Sequence, residues 1–404
     1  MRILLVNDYG TATGGAELML LSLRDALRSR GHDARLFASS ARPLSAPNQA
    51  DYQCLGFHST VRGLIQVANP SAALRLRHIL RDFRPEVVHV RLFLSQLSPL
   101  ILPLLERVPA IFHAAWYRSI CPIGTKMWPG GDPCTEHAGL ACLRHRCFAA
   151  GFWPSAMLQL KLWRRWRGVF DVVVANSHST RALLEAEGIG PSEVIWNGVP
   201  RRPPRPQLSD SPTVVFAGRL VPEKGVDLLV QAFADVRMHL KDAKLVIAGD
   251  GPQRASLERT VAGLSLGANV RFAGHLGRQQ IEECFATAWV QAVPSRWREP
   301  FGIVAAEAMM RGTAVVASNG GGLAEIVQHE RTGLLVPPND ANALASALLR
   351  LLSDRALTES LGSRGRDFAL ANLTEEIFVD RFVALYERMV RDVVSPAPHP
   401  EPHQ

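Results

Sequence analysis

Short runs of aliphatic and β-branched residues alternate along the chain with segments whose apolar positions recur every three or four residues. Ile3–Asn7 is a buried strand by this reading, and Gly14-Gly15 opens a helix. In that helix Ala16, Met19, Leu20, Leu23 and Leu27 keep helical spacing, with Gly31 placed to terminate it. Arg35–Ala38, Val87–Val90, Ile111–Ala114, Val172–Asn176 and Val194–Trp196 follow as strands. Pro200–Pro212 holds five prolines and is expected to be a linker. The alternation then restarts, with strands at Val214–Ala217, Lys244–Ala248, Val270–Ala273, Trp289–Val293, Ala314–Ala317 and Leu334–Val336. Alternation of this kind predicts parallel sheets covered by helices on both faces. Glu375–Val394 has the spacing of an amphipathic helix, and Ser395–Gln404 is expected to be a disordered tail.

The predicted organisation is therefore an α/β chain of two doubly wound halves: 1–199, a linker at 200–212, a second domain at 213–374, a helix at 375–394 and a tail at 395–404. A length of 404 residues suits two cores rather than one. Hydrophobic residues make up 47% and charged residues 20%, a globular balance. The nearest approach to a membrane span, Val87–Leu105, is interrupted by His89, Arg91 and Gln96. The opening Arg2-Ile3-Leu4-Leu5-Val6 lacks the parts of a signal peptide, so a cytoplasmic location is expected. A net charge of +8 suits nucleic acid, an anionic membrane surface or phosphate-bearing substrates. No nucleic-acid signature accompanies it, and no nucleic-acid partner is expected.

In doubly wound sheets, ligands bind beyond the carboxyl ends of the strands, and the chemistry-bearing residues fall there. Gly218-Arg219-Leu220-Val221-Pro222-Glu223-Lys224-Gly225 follows one strand and places two cations in a glycine-bounded turn, suited to a diphosphate. Taken alone, a surface turn with solvated charges explains it equally well. Gly249-Asp250-Gly251-Pro252 follows the next strand, where an ordinary turn is the simpler reading. Pro294–Glu307 is the most specific stretch. Glu299 falls before a helix expected to start near Phe301 or Gly302, and Glu307 falls on it about two turns later. Exposed amides at Phe301, Gly302 and Ile303 suit anionic or hydroxylated groups.

Together these elements resemble the family 4 glycosyltransferases, a retaining family with the two-domain GT-B fold. The carriers are Gly14-Gly15-Ala16-Glu17, Gly218-Arg219 with Glu223-Lys224-Gly225, and Glu299 to Glu307, which matches the family's glutamate, seven residues, glutamate motif. Asn197-Gly198-Val199 and Gly320-Gly321-Gly322 with Glu325 are lesser matches. The resemblance implies two Rossmann-like domains facing across a cleft, with the C-terminal helix crossing back to the first. It implies that Arg219 and Lys224 hold the diphosphate of a nucleotide-sugar donor, that Glu299 contacts sugar hydroxyls, and that Glu307 contacts the ribose. Amides of Phe301, Gly302 and Ile303 would meet sugar or phosphate, and the glycines Gly14, Gly15, Gly218 and Gly251 would let backbone approach the donor. His113 matches a histidine that the family places near the transferred sugar, although Ala114 stands where many relatives carry aspartate. The implied reaction is metal-independent transfer with retention to a glycan or lipid-linked acceptor, as in surface polysaccharide assembly, with no cofactor. The two glutamates are expected to position the donor rather than act as a glycosidase pair.

A nucleotide-sugar epimerase, a glycan phosphorylase and a non-catalytic sugar-nucleotide-binding protein are the rival readings. A dinucleotide oxidoreductase fits worst, because no Gly-x-Gly-x-x-Gly follows the first strand. Two segments stay open. Cys121, Cys134, Cys142 and Cys147, with His137 and His145 among them, suit free thiols better than a zinc site, since no close Cys-x-x-Cys pair exists. Ser155–Phe170 gathers Lys161, Arg164, Arg165 and Arg167 on one side and Leu158, Leu162, Trp163, Trp166, Val169 and Phe170 on another. Core packing with a solvated basic face is the favoured reading, and peripheral contact with an anionic inner-membrane surface is the other.

Overall fold

A computed structural model of the chain describes residues 1–12, 14–42, 46–57, 62–190 and 192–394. The expected tail at 395–404 lies outside the described residues. Two parallel sheets dominate. The first has seven strands: β1 (Arg2–Tyr9), β2 (Asp33–Ser39), β3 (Tyr52–Cys54), β4 (Val87–Val90), β5 (Ala110–Ala114), β6 (Val172–Ala175) and β7 (Ser192–Val194). Their order is β3-β2-β1-β4-β5-β6-β7, with every pairing parallel. The second has six: β8 (Thr213–Ala217), β9 (Lys244–Ala248), β10 (Val270–Gly274), β11 (Val290–Val293), β12 (Ala314–Ser318) and β13 (Leu334–Val336). Their order is β10-β9-β8-β11-β12-β13, again all parallel.

The strands form where largely apolar runs can be buried on both faces, as parallel sheets require. All four residues of β4, all five of β5, all four of β11 and all five of β12 are buried. Two strands depart from the expectation. β3 has no apolar run to announce it, and β7 lies two residues earlier than Val194–Trp196 because Ser192–Val194 is the segment that pairs with Val173–Ala175.

The chain divides into two compact units. The first comprises Met1–Gly124, Glu136–Trp196 and the last helix, Glu375–Val394, from its second residue onward. That helix lays Phe378, Phe382 and Tyr386 into this unit, and its Asp380 pairs with Arg30 at 2.6 Å. Phe93, Phe112, Trp163 and Phe170 form a second aromatic cluster in this unit.

The second unit comprises Asn197–Glu375 and the segment Thr125–Thr135, which closes on itself through a Met127–Pro133 bridge. Residues 200–212 form no regular element. They run along this unit, held by the Arg205 amide on the Arg311 carbonyl at 3.0 Å and the Ser209 amide on the Thr287 carbonyl at 3.0 Å. In both sheets the strand order reverses beside the central strand: between β1 and β4 in the first, and between β8 and β11 in the second. Ligand sites of doubly wound sheets open at such reversals.

Candidate functional site

The reversal in the second unit puts the segments after β8 and β11 side by side. After β8 the chain passes through Gly218 and Arg219 into a short 3-10 turn at Pro222–Lys224. After β11 it runs from Pro294 to the helix Ile303–Arg311. The two meet where the Lys224 Nζ donates to Glu299 Oε1 at 2.6 Å. Ser295 Oγ donates to the same oxygen at 2.7 Å. Lys224 also lies 5.2 Å from the centre of the Trp297 ring.

Glu299 is 5% exposed, so burial alone would raise its pKa. The charge of Lys224, with hydrogen bonds from Lys224 and Ser295, overrides burial and holds the carboxyl below its ordinary range. Glu299 is therefore an anion in the resting protein, with Lys224 as its counter-charge.

Two close approaches make this junction possible. Gly225 has φ +65°, and a Cβ there would stand 2.0 Å from the Pro294 carbonyl oxygen. Only glycine lets the Lys224 turn lie so near the end of β11. Behind the other side, the Gly322 amide donates to the Glu299 carbonyl at 2.7 Å, and a Cβ on Gly321 would stand 2.3 Å from that oxygen. The Gly320–Gly322 run is thus the backing of the Glu299 segment.

Arg296 locks the two segments together. Its guanidinium makes a fork to Asp227, with both bonds at 2.7 Å, and donates to Asn339 Oδ1 at 2.9 Å and the Pro222 carbonyl at 3.0 Å. Its amide donates to the Glu223 carbonyl at 2.9 Å. Sequence reasoning did not assign this role. The one available signal was an acid in the first turn of the helix Val226–His239, directly after the cationic turn.

Gly302 occupies the N-cap of Ile303–Arg311 with φ +100°. The amides of Phe301, Gly302 and Ile303 find no acceptor among the described residues. They form the donor end of a helix dipole beside Glu299. On the same helix Glu307 is half-buried, and burial pushes its carboxyl up while Arg311 and Arg278 pull it down. It makes no direct ion pair among the described residues, because Arg311 is spent on Glu282 at 3.0 Å and Gln291 at 2.6 Å.

Other expected residues are placed less tightly. The Arg219 side chain is 69% exposed and loosely paired with Glu223 at 3.3 Å. The Gly218 amide is used by the Ala248 carbonyl, and the Gly251 amide by its neighbour's carboxylate, Asp250 Oδ1, at 2.7 Å. Both glycines therefore shape turns, and the Gly251 amide is already satisfied.

The first unit holds the remaining candidates. Gly14 caps the helix Gly15–Ser29, and Glu17 Oε2 stands where a Gly14 side chain would be. His113, on β5, is fully buried. Its Nδ1 lies 3.1 Å from His89 Nε2 and 3.2 Å from Arg91 Nη1, while His89 Nδ1 lies 2.6 Å from the Tyr386 hydroxyl. Burial first, then the Arg91 charge, holds both rings neutral; His89 is pushed down to about 3. His113 Nε2 is buried and has no partner among the described residues. An unpaired polar group of this kind costs about 1–3 kcal/mol. Asp8, at the end of β1, accepts amides of Ser95, Gln96 and Leu97 at 2.8, 2.6 and 3.0 Å, which fixes the loop after β4.

Cys121, Cys134, Cys142 and Cys147 form no disulfide among the described residues, and Cys134 belongs to the second unit. No group of three metal-binding side chains occurs among the described residues. The basic segment forms the helix Trp153–Trp166, which buries Gln159, Leu160 and Trp163 but leaves Leu158 exposed. No helix among the described residues is long and apolar enough to cross a membrane.

Comparison with known proteins gives matches over both units. Residues 13–202 match the model described as Glycosyltransferase Family 4, and residues 202–368 match Glycosyl transferases group 1. A GDP-mannose-dependent alpha-(1-6)-phosphatidylinositol monomannoside mannosyltransferase of Mycobacterium tuberculosis is 34% identical over 240 residues, covering 54% of this chain and 62% of that protein. The chain spans less than two-thirds of the length of the first curated relatives it matches. Among solved structures, a sucrose-phosphate synthase from Thermosynechococcus elongatus superposes with a TM-score of 0.75 at 24% identity, covering 97% of this chain and 99% of that one. Anabaena HepE, solved with UDP-glucose, gives 0.69 at 20% identity, covering 96% and 100%. At these identities the structural likeness establishes the fold.

Proposed function

Because the chain belongs to glycosyltransferase family 4, with the GT-B fold, we propose that it moves a sugar from a nucleotide-diphosphate donor to a glycan or lipid-linked acceptor, with retention and without a metal. The observation that carries this reading is the Lys224–Glu299 pair, set beside the open amides of Phe301–Ile303 at the strand-order reversal of the second unit.

Breaking a glycosyl–phosphate bond builds negative charge on the departing diphosphate. Lys224, Arg219 and the helix amides supply fixed positive charge and donors for it. A diphosphate draws on the Lys224 charge that Glu299 holds in the resting protein, and Glu299 then accepts hydrogen bonds from sugar hydroxyls. Glu307, an acid without a direct partner among the described residues, accepts from the ribose. His113 donates to the transferred sugar. The acceptor proton leaves with the departing phosphate oxygen, so neither glutamate serves as nucleophile. The mannosyltransferase and UDP-glucose relatives support a nucleotide-sugar donor of this class.

The test is a donor panel, GDP-mannose and UDP-glucose included, assayed with EDTA present. Transfer or slow donor hydrolysis with retained anomeric configuration is expected. Epimerisation, phosphorolysis or binding without turnover would overturn the proposal in favour of its rivals.

For the acceptor, the first unit offers a cavity of about 400 Å³ lined by Ile123, Phe148 and Phe152, with Gln66, Arg118 and Gln159 as polar groups. Phe152 and Leu158 are 57% and 48% exposed on the same helical segment as the outward Lys161, Arg164 and Arg165. This pairing of apolar and cationic surface favours a lipid-linked acceptor met at an anionic bilayer. Sedimentation with vesicles containing anionic lipid is expected at low salt and lost at high salt. No recovery with anionic vesicles at low salt would remove the membrane reading.

A further inference from the structure

The buried contacts around His113 admit one arrangement of protons. A guanidinium can only donate, so His113 Nδ1 accepts from Arg91. His89 Nε2, 3.1 Å from the same nitrogen, must then donate to it. His89 Nδ1 is left as an acceptor, filled by the Tyr386 hydroxyl at 2.6 Å. The only remaining site for the His113 ring proton is Nε2, the atom that is buried and unpartnered among the described residues.

The same helix that carries Tyr386 also fixes the rings in place. Phe378, Phe382 and Tyr386 are spaced by four residues and share one helix face. The Phe382 ring centre lies 4.8 Å from that of His89 and 5.0 Å from that of His113.

We infer that Tyr386, His89 and Arg91 are positioning residues that hold His113 in the Nε2–H form, as a hydrogen-bond donor to an oxygen of the substrate. The ligand chemistry this selects is an acceptor oxygen, such as that of a sugar hydroxyl. His113 is then excluded as a proton-abstracting base at Nε2, because that nitrogen has no free lone pair. The identity of the substrate rests on the function proposed above; the proton arrangement does not.

The deciding measurement is nitrogen NMR on full-length protein labelled with 15N-histidine, without donor. His113 is expected to show a bare Nδ1 and a protonated Nε2, unchanged across the neutral pH range. The variant Tyr386→Phe removes the donor to His89 Nδ1. Its bare His89 Nδ1 signal is expected to shift on losing that donor, and kcat is expected to fall about tenfold with donor KM nearly unchanged. His113→Gln, which can offer an N–H at the same distance along the side chain, is expected to keep more activity than His113→Ala. A wild-type His113 protonated at Nδ1, or Tyr386→Phe with wild-type kcat, would overturn the inference. If no donor is turned over by the wild type, the proposed function fails, and the spectra still decide the proton arrangement.

Discussion

Lys224→Ala is expected to lower kcat/KM by about 10²- to 10³-fold, the scale for losing one preorganised charge at a developing anion. The same substitution has a second effect that must be separated from the first. It strips the counter-charge from Glu299, which is 5% exposed. Ser295 still donates at 2.7 Å, so the loss is partial, about 1–3 kcal/mol. Adding Glu299→Gln to Lys224→Ala is expected to restore much of the stability and none of the turnover.

The pH dependence carries a sign that checks this account. In the wild type the Glu299 carboxyl is held below its ordinary value of 4.5, so its contribution is present above that value and lost as pH falls through the lower folded one. Without Lys224, burial dominates and the folded carboxyl rises. The group then destabilises the variant at neutral pH and is relieved by protonation in acid. The stability gap between wild type and Lys224→Ala is expected to be widest near neutrality and to narrow in acid. Thermal melts across that range, with transfer assays at saturating donor, test both halves. Wild-type turnover in Lys224→Ala would sink the assignment.

Gly225→Ala is expected to cost about 2–4 kcal/mol of stability, from a strained φ plus a backbone clash. The added methyl group would meet the Pro294 carbonyl oxygen 2.0 Å away, and neither partner is a flexible side chain. Relief requires the Lys224 turn to draw back from the end of β11, which separates Lys224 from Glu299 and loosens the Arg296 fork. Donor affinity should therefore fall further than the stability loss alone explains. Urea unfolding and donor titration measure the two effects separately. A variant with the wild-type midpoint and donor affinity would show that the junction tolerates movement.

Most of the strands were legible because parallel strands buried on both faces write themselves as uninterrupted apolar runs, as in Ile3–Val6 and Ala314–Ala317. Tyr52–Cys54 was not, since a three-residue edge strand with one buried position leaves no such run. The cationic turn and the glutamate stretch stood out through composition at strand ends. Their direct contact did not, because Lys224 and Glu299 are 75 positions apart and no local rule pairs them. Arg296 was not paired with Asp227 for the same reason: the two are 69 positions apart.

His89, Arg91 and Gln96 are the instructive case. They broke the apolar run from Val87 to Leu105 and counted only against a membrane span. All three are buried, two of them in the network around His113. Polar residues inside an otherwise buried run require partners, and that requirement was the available signal. Naming Tyr386 as the partner was beyond it.

The Tyr386–His89 bond spans 297 residues, and this sets the order in which the protein can be built. During synthesis the seven strands of the first sheet emerge early, yet the helix that covers two of its buried histidines is the last element described. The first unit must wait with that face open while the second unit, nearly continuous from Asn197 to Glu375, folds behind it. A fragment ending before Glu375 would leave His89, His113 and their apolar surroundings in water. The first unit therefore cannot be isolated by cutting the chain once; it needs the last helix supplied, fused or in trans.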